Sequence, residues 1–151
     1  MSSGPETFSY EQDDAYEALV ADERIFQSGY RFLIFCASLG YNRNRRVHDY
    51  NENGEMRWSY INQDPVLSVM SAALAYAATE EPDVMMEPET QIDIIVQYGA
   101  GGSRLLQERV IDQPGDNLDL LVELLQEERD REEFSDRVDV ISEIEKEISS
   151  L

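Results

Sequence analysis

Apolar side chains recur three and four positions apart along most of this chain, a period that predicts a mostly α-helical protein. Asp13-Asp14 opens a short helix through Val20, with acids at the positive end of the helix dipole. Arg24 to Leu39 reads as a longer helix, with Ile25, Phe26, Phe32, Leu33, Phe35, Cys36 and Leu39 facing inward and Gly40 as its stop. Asp64-Pro65 begins the next, Asp as cap and Pro at the first helical position, and Leu67, Met70, Leu74 and Ala78 keep helical spacing along it. Glu89 to Ile111 carries one stripe of Ile92, Ile95, Val96, Gly99, Ser103, Leu106 and Val110. Leu118, Leu121, Val122 and Leu125 mark a further helix, and Phe134, Ile141, Ile144, Ile148 and Leu151 a last one.

The segments between are turns and loops. Asn42 to Gly54 is polar and ends in an Asn-Glu-Asn-Gly turn, Glu80 to Pro88 is acidic, and Asp112 to Asp116 contains Pro-Gly. Met56 to Ile61 alternates apolar and polar residues, which suggests a short strand or extended piece. The expected architecture is a single-domain helical bundle. Residues 1–10 form a flexible tail, 11–133 the helical domain, and 134–151 an acidic amphipathic helix. About two heptads of seam are too few to decide whether that last helix packs back on the domain, makes a homodimer or docks a partner.

Composition changes the picture in one respect. With 42% hydrophobic residues in a 151-residue chain a real core is available, yet 32 acids against 12 bases leave a net charge of -20. Eleven of the bases are arginine and only Lys146 is lysine. A nearly lysine-free acidic surface fits a halophilic protein, since at molar salt the Debye length is about 3 Å and acid–acid repulsion is screened. The charge is uneven: residues 1–78 carry net -5 and residues 79–151 net -15. The second half is thus a poor DNA-binding face, because phosphate contacts need cations. Cys36 is the single cysteine, which excludes an intrachain disulfide and a cysteine zinc cluster. The first residues lack the basic and apolar regions of a signal peptide, and Val66 to Ala78 is too short to span a bilayer, so a cytoplasmic location is expected.

The densest positive spot follows the second helix. In YRFLIFCASLGYNRNRRV, Tyr30 to Val47, an apolar run delivers Tyr41 and three arginines, Arg43, Arg45 and Arg46. Arginine forks onto phosphate and tyrosine stacks on bases, so a nucleic-acid or phosphate contact is one reading. Docking of an acidic partner protein is a second, and a solvated loop paired with the chain's own acids a third. Arg57, beside Trp58, joins the candidate list for partner or phosphate binding.

YRFLIFCASLGYNRNRRV, the segment around Met56-Arg57-Trp58, and IVQYGAGGSRLLQERV together resemble a family of small proteins encoded beside DNA phosphorothioation (Dnd-type) defence genes. The likeness lies in an aromatic and small-residue core ending at Gly40, the basic residues Arg43 to Arg46, and a later helix through Tyr98 to Leu105. It implies an accessory role in sulphur-modified-DNA defence and carries over no catalytic residues.

Other motifs point to structure. Tyr98 to Arg104 looks like a phosphate-cradling loop but has neither G-K-[ST] nor G-x-G-x-x-G, and it lies within a helical stripe. Gly99, Gly102 and Ser103 are therefore expected to let a second helix approach closely, with a ligand loop as the alternative. His48, the single histidine, would have to anchor any Ser-His-acid triad, and no nucleophile elbow accompanies it. Adjacent acids such as Glu80-Glu81 follow from composition and suggest no metal. The expectation is a non-catalytic interaction component of a DNA-phosphorothioation-dependent restriction system, without cofactor or metal. Its partners would be other proteins of that system, with DNA contacted only within a complex. A nucleic-acid-binding transcriptional regulator is the alternative, and a small hydrolase or nuclease a more distant one.

Overall fold

The computed structural model describes residues 4–150, with the backbone alone for 133–139. Helices dominate, as the apolar period predicts, beside one small antiparallel sheet. The chain divides into two units, Met1–Gln113 and Pro114–Leu151.

The first unit begins with strand β1, Thr7–Tyr10, which pairs antiparallel with β2, Gly54–Arg57. This corrects the expected tail over residues 1–10, of which residues 1–3 lie outside the described residues. Phe8 and Tyr10 alternate with Thr7 and Ser9, a period of two that buries both rings. Phe8 meets Trp58 edge-on at 6.4 Å, and Tyr10 lies 5.3 Å from Tyr16 between ring centres. Tyr10 sits opposite Gly54, where a Cβ would come within 2.8 Å of its ring, so a side chain there would have to displace the ring. The extended piece expected over 56–61 ends at Arg57, and helix α3 occupies Ser59–Asn62.

Helix α1, Asp14–Tyr16, starts where the Asp13 carboxylate accepts the Ala15 N–H at 3.1 Å, and widens into a π-helical turn over Glu17–Asp22. Helix α2, Gly29–Asn42, begins later than expected, because Arg24 stands at φ 52 and interrupts any earlier start. It also ends later. Gly40 lies inside it, and Asn44 at φ 55 supplies the left-handed residue that stops the helix while the Arg45 N–H reaches the Gly40 carbonyl at 2.8 Å.

Helix α4, Pro65–Thr79, has the expected start: the Asp64 carboxylate accepts from Val66 N–H at 2.9 Å and Leu67 N–H at 3.0 Å. A 3-10 turn at Pro82–Met86 follows, held by Gln91, whose amide donates to the Val84 and Met85 carbonyls at 3.0 Å and accepts from Ser71 Oγ at 3.1 Å. Helix α5, Pro88–Leu106, is the centre of the unit and runs into a second π-helical turn, Gln107–Ile111. Its expected stripe, from Ile92 through Val110, is buried at every position.

The second unit is one helix, α6, Asn117–Ser149, capped by Asp116 after Gly115 at φ 122. Two helices were expected here; the polar stretch between them is rich in Glu and Arg, good helix formers, and Arg131 pairs with Glu128 three residues back at 3.3 Å. The unit boundary falls in the Pro114-Gly115 turn rather than at residue 134, where the helix is continuous. Val140, Ile141, Ile144 and Ile148 are exposed on it, while the Phe134 side chain and Leu151 lie outside the described residues.

Candidate functional site

The arginine-rich loop is seated on a seam between α2 and α5. Here the two backbones nearly touch. A Cβ placed on Gly102 would fall on the Cys36 carbonyl, and one on Gly40 would fall on the Tyr98 carbonyl. At Gly99 it would meet Leu33 Cδ1 at 2.6 Å. Ser103, adjacent to this run, is fully buried. Gly101 has a different duty: a Cβ there would overlap the Arg45 carbonyl, so this glycine is the seat on which the loop rests. The Val47 N–H donates to the Gln97 carbonyl at 3.1 Å and closes the attachment.

The loop's side chains turn back on the same helix. Arg46 Nε donates to Gln97 Oε1 at 2.6 Å, and its guanidinium stands 5.3 Å from the centre of the Tyr98 ring. Arg45 pairs with Glu108 at 3.3 Å. Tyr41 packs edge-on against Tyr98 at 5.5 Å and donates its hydroxyl to the Ala77 carbonyl at 3.3 Å. Arg43 is partly buried beside them. Tyr41, Arg45 and Arg46 thus gather around α5, whereas Arg57 lies on β2 and lines another hollow with Tyr30, Glu55 and Tyr60. His48 is exposed, and the Cys36 thiol is buried, which pushes it well above its usual range and leaves it an inert core residue.

A partly buried ion pair escapes sequence reasoning. Arg104 forks onto Glu11 through Nε at 2.8 Å and Nη2 at 2.7 Å, joining residues 93 positions apart. Glu11 also accepts the Asn51 N–H at 3.0 Å. Its side chain is 6% exposed, that of Arg104 44%. The Arg104 hydrogen bond, helped by Asn51, holds the Glu11 carboxyl below its usual range against the opposing effect of burial. Burial raises the neighbouring Asp13. These residues border a cleft of about 340 Å³ together with Gln107 and Glu108. Among the described residues no group of His, Cys, Asp or Glu is placed to hold a metal ion.

The third feature is a surface. Helix α4 has no charged residue from Pro65 to Thr79, in a chain that is 29% charged. At about 100° per residue, Val66, Val69, Met70, Ala73, Tyr76 and Ala77 share a stripe some 120° wide, and all six are exposed. Val66 and Val69 are 65% and 67% exposed, far more than isolated surface apolar residues need be. Met70 keeps helical spacing with Leu67 and Leu74 but lies on this outer stripe, 39% exposed, while those two are buried. The signal was readable: an uncharged run is conspicuous in so acidic a sequence.

Among the described residues no helix is long and apolar enough to cross a membrane. No curated protein and no solved structure matches the chain. A family model, described as DNA sulphur modification system-associated protein 4, matches residues 8–143. The match takes in most of β1, the α2–α5 seam with its arginine loop, the α4 face and most of α6, and the chain belongs to this family of proteins associated with DNA sulphur modification systems.

Proposed function

We propose that this protein is a non-catalytic, cytoplasmic interaction component of a DNA-phosphorothioation-dependent restriction system, acting against phage or other foreign DNA by binding another protein of that system. The observation that carries this reading is the exposed, charge-free face of α4 on an otherwise acidic molecule. Contiguous apolar surface of this kind is costly to keep unless a partner covers it. The arginine loop supports the same reading from the other side. Arg45 and Arg46 are already engaged with Glu108, Gln97 and Tyr98, and a net charge of -20 gives DNA no long-range attraction.

The test is made in the native host with tagged protein. Val69→Asp on the α4 face should lower both restriction of incoming DNA and co-purification of the system's other proteins, with the fold retained in circular dichroism. Full restriction and unchanged recovery would overturn the reading. Replacing Arg43, Arg45 and Arg46 together by alanine separates the loop from the face. It should cost about 1 kcal/mol, since exposed pairs contribute little each, and leave direct DNA binding, expected to be undetectable in a mobility-shift assay, unchanged. A DNA complex formed by the isolated wild type and lost in the triple variant would favour the regulator reading instead.

The acidic, lysine-poor surface makes salt a second lever. Thermal melts in a KCl series should show the midpoint rising towards molar salt as repulsion among 32 acids is screened. A midpoint independent of KCl would remove the halophilic assignment.

A further inference from the structure

We infer that the groove between α2 and α4 takes one amphipathic helix of a partner protein whose apolar stripe is flanked by lysines or arginines. The inference rests on the interaction role proposed above and specifies the partner's chemistry. Phe26, Ile34 and Phe35 form one wall, Val66 and Met70 the other, around a cavity of about 470 Å³. The walls are mostly apolar, and the exposed stripe of α4 continues from them through Ala73 to Ala77, so a helix can be received through anchors at i, i+3/i+4 and i+7.

Charge selects among occupants. Asp64 caps the near end of the stripe. At the far end Glu80, Glu81, Asp83 and Glu87 follow directly and are exposed. They add to the partial negative charge of the α4 C-terminus, where cations are favoured. Arg31, which bonds to Gln27 at 3.0 Å, is the cation on the groove wall. The far end of the α4 face therefore calls for basic residues and its middle for apolar ones, while at the near end Arg31 lines the same cavity as Asp64. A second copy of this chain meets the middle but not the far end. Two α4 helices laid antiparallel bring Asp64 of one against Glu80 and Glu81 of the other. The exposed apolar residues of α6, Ile141, Ile144 and Ile148, stand beside Glu143, Glu145 and Glu147 and repeat the mismatch.

The test uses two synthetic helical peptides with the same leucine stripe, one ended by lysines and the other by glutamates, titrated against the full chain by fluorescence anisotropy. The lysine-ended peptide should bind at least about tenfold more tightly, and hydrogen exchange should slow in α4. The double variant Val69→Asp/Met70→Asp should weaken that binding by at least about tenfold. It adds negative charge, so a peptide held by general attraction to an acidic protein would bind it at least as well as the wild type. Equal affinity for the two peptides, or binding indifferent to the double variant, overturns the inference. So does a concentration-dependent dimer in sedimentation velocity that the variant disperses, which would make a second copy the occupant. The two readings fail separately: peptides that do not bind, with restriction still lost on Val69→Asp, sink the partner's chemistry alone. Restriction that survives the substitution sinks the interaction role itself.

Discussion

Gly102→Ala should destabilise the protein by about 3 kcal/mol, at the upper end of overpacking costs, and Gly102→Leu should prevent folding. The added Cβ meets the Cys36 carbonyl, a backbone atom in the middle of α2 that cannot rotate out of the way. Relief requires the two helices to move apart, which unpacks buried Leu33 and Cys36 of α2 from Gly99 and Gly102 of α5. A small domain has about 5–15 kcal/mol in total, so one methyl group removes a large share. Gly29→Ala is the control. Its Cβ would lie 3.6 Å from Met56 Cε, an ordinary contact, and alanine is the better helix former, so the change should be neutral or stabilising by up to about 1 kcal/mol. Urea titrations of both variants decide the matter, and equal midpoints would mean that the seam is not tight.

Glu11→Gln should cost about 2 kcal/mol near neutral pH, and the cost should shrink in acid. The wild-type carboxylate receives a forked Arg104 and the Asn51 N–H. An amide keeps the shape but loses the charge and one acceptor. Because Arg104 is 44% exposed, water compensates part of the loss, which keeps the figure well below that of a fully buried pair. The pH dependence has a definite sign. The folded-state pKa of Glu11 lies below the 4.5 of the free group. Its stabilisation is therefore complete above that value and lost as the pH falls through the depressed one. Asp13, raised by burial, works in the opposite direction, its penalty relieved as it takes up a proton. Comparing wild type with Glu11→Gln isolates the first effect. A difference in urea midpoint that is the same at about pH 7 and about pH 3 would remove the ion pair as its source.

What the sequence reveals depends on how locally each feature is encoded. The start of α4 is legible because Asp64 and Pro65 carry the whole signal, and α5 is legible because its stripe repeats over five turns. That Gly99, Gly102 and Ser103 lie on a packed side follows from the same stripe. Which glycine faces what does not: Gly101 serves the loop and Gly40 serves the seam only because α2 and α5 meet at one register. Strand β1 left a trace in the alternation of Phe8 and Tyr10, but four residues are too few to outweigh a polar N-terminal context. The continuity of α6 is hidden where apolar positions thin out after Leu125, although the charged residues there favour a helix. Glu11 and Arg104 leave no trace at all, being joined only by the fold.

Trp58, the single tryptophan, is 4% exposed and lies against Phe8. The molecule thus carries one indole reporter, and it sits directly after β2, against the strand that β2 pairs with. Its emission follows whether the first strand is attached, since the Trp58 backbone N–H also donates to the Glu6 carbonyl at 3.0 Å, whereas circular dichroism follows the helices. A transition seen by tryptophan ahead of the one seen by circular dichroism would be the peeling of an edge, not the loss of the protein.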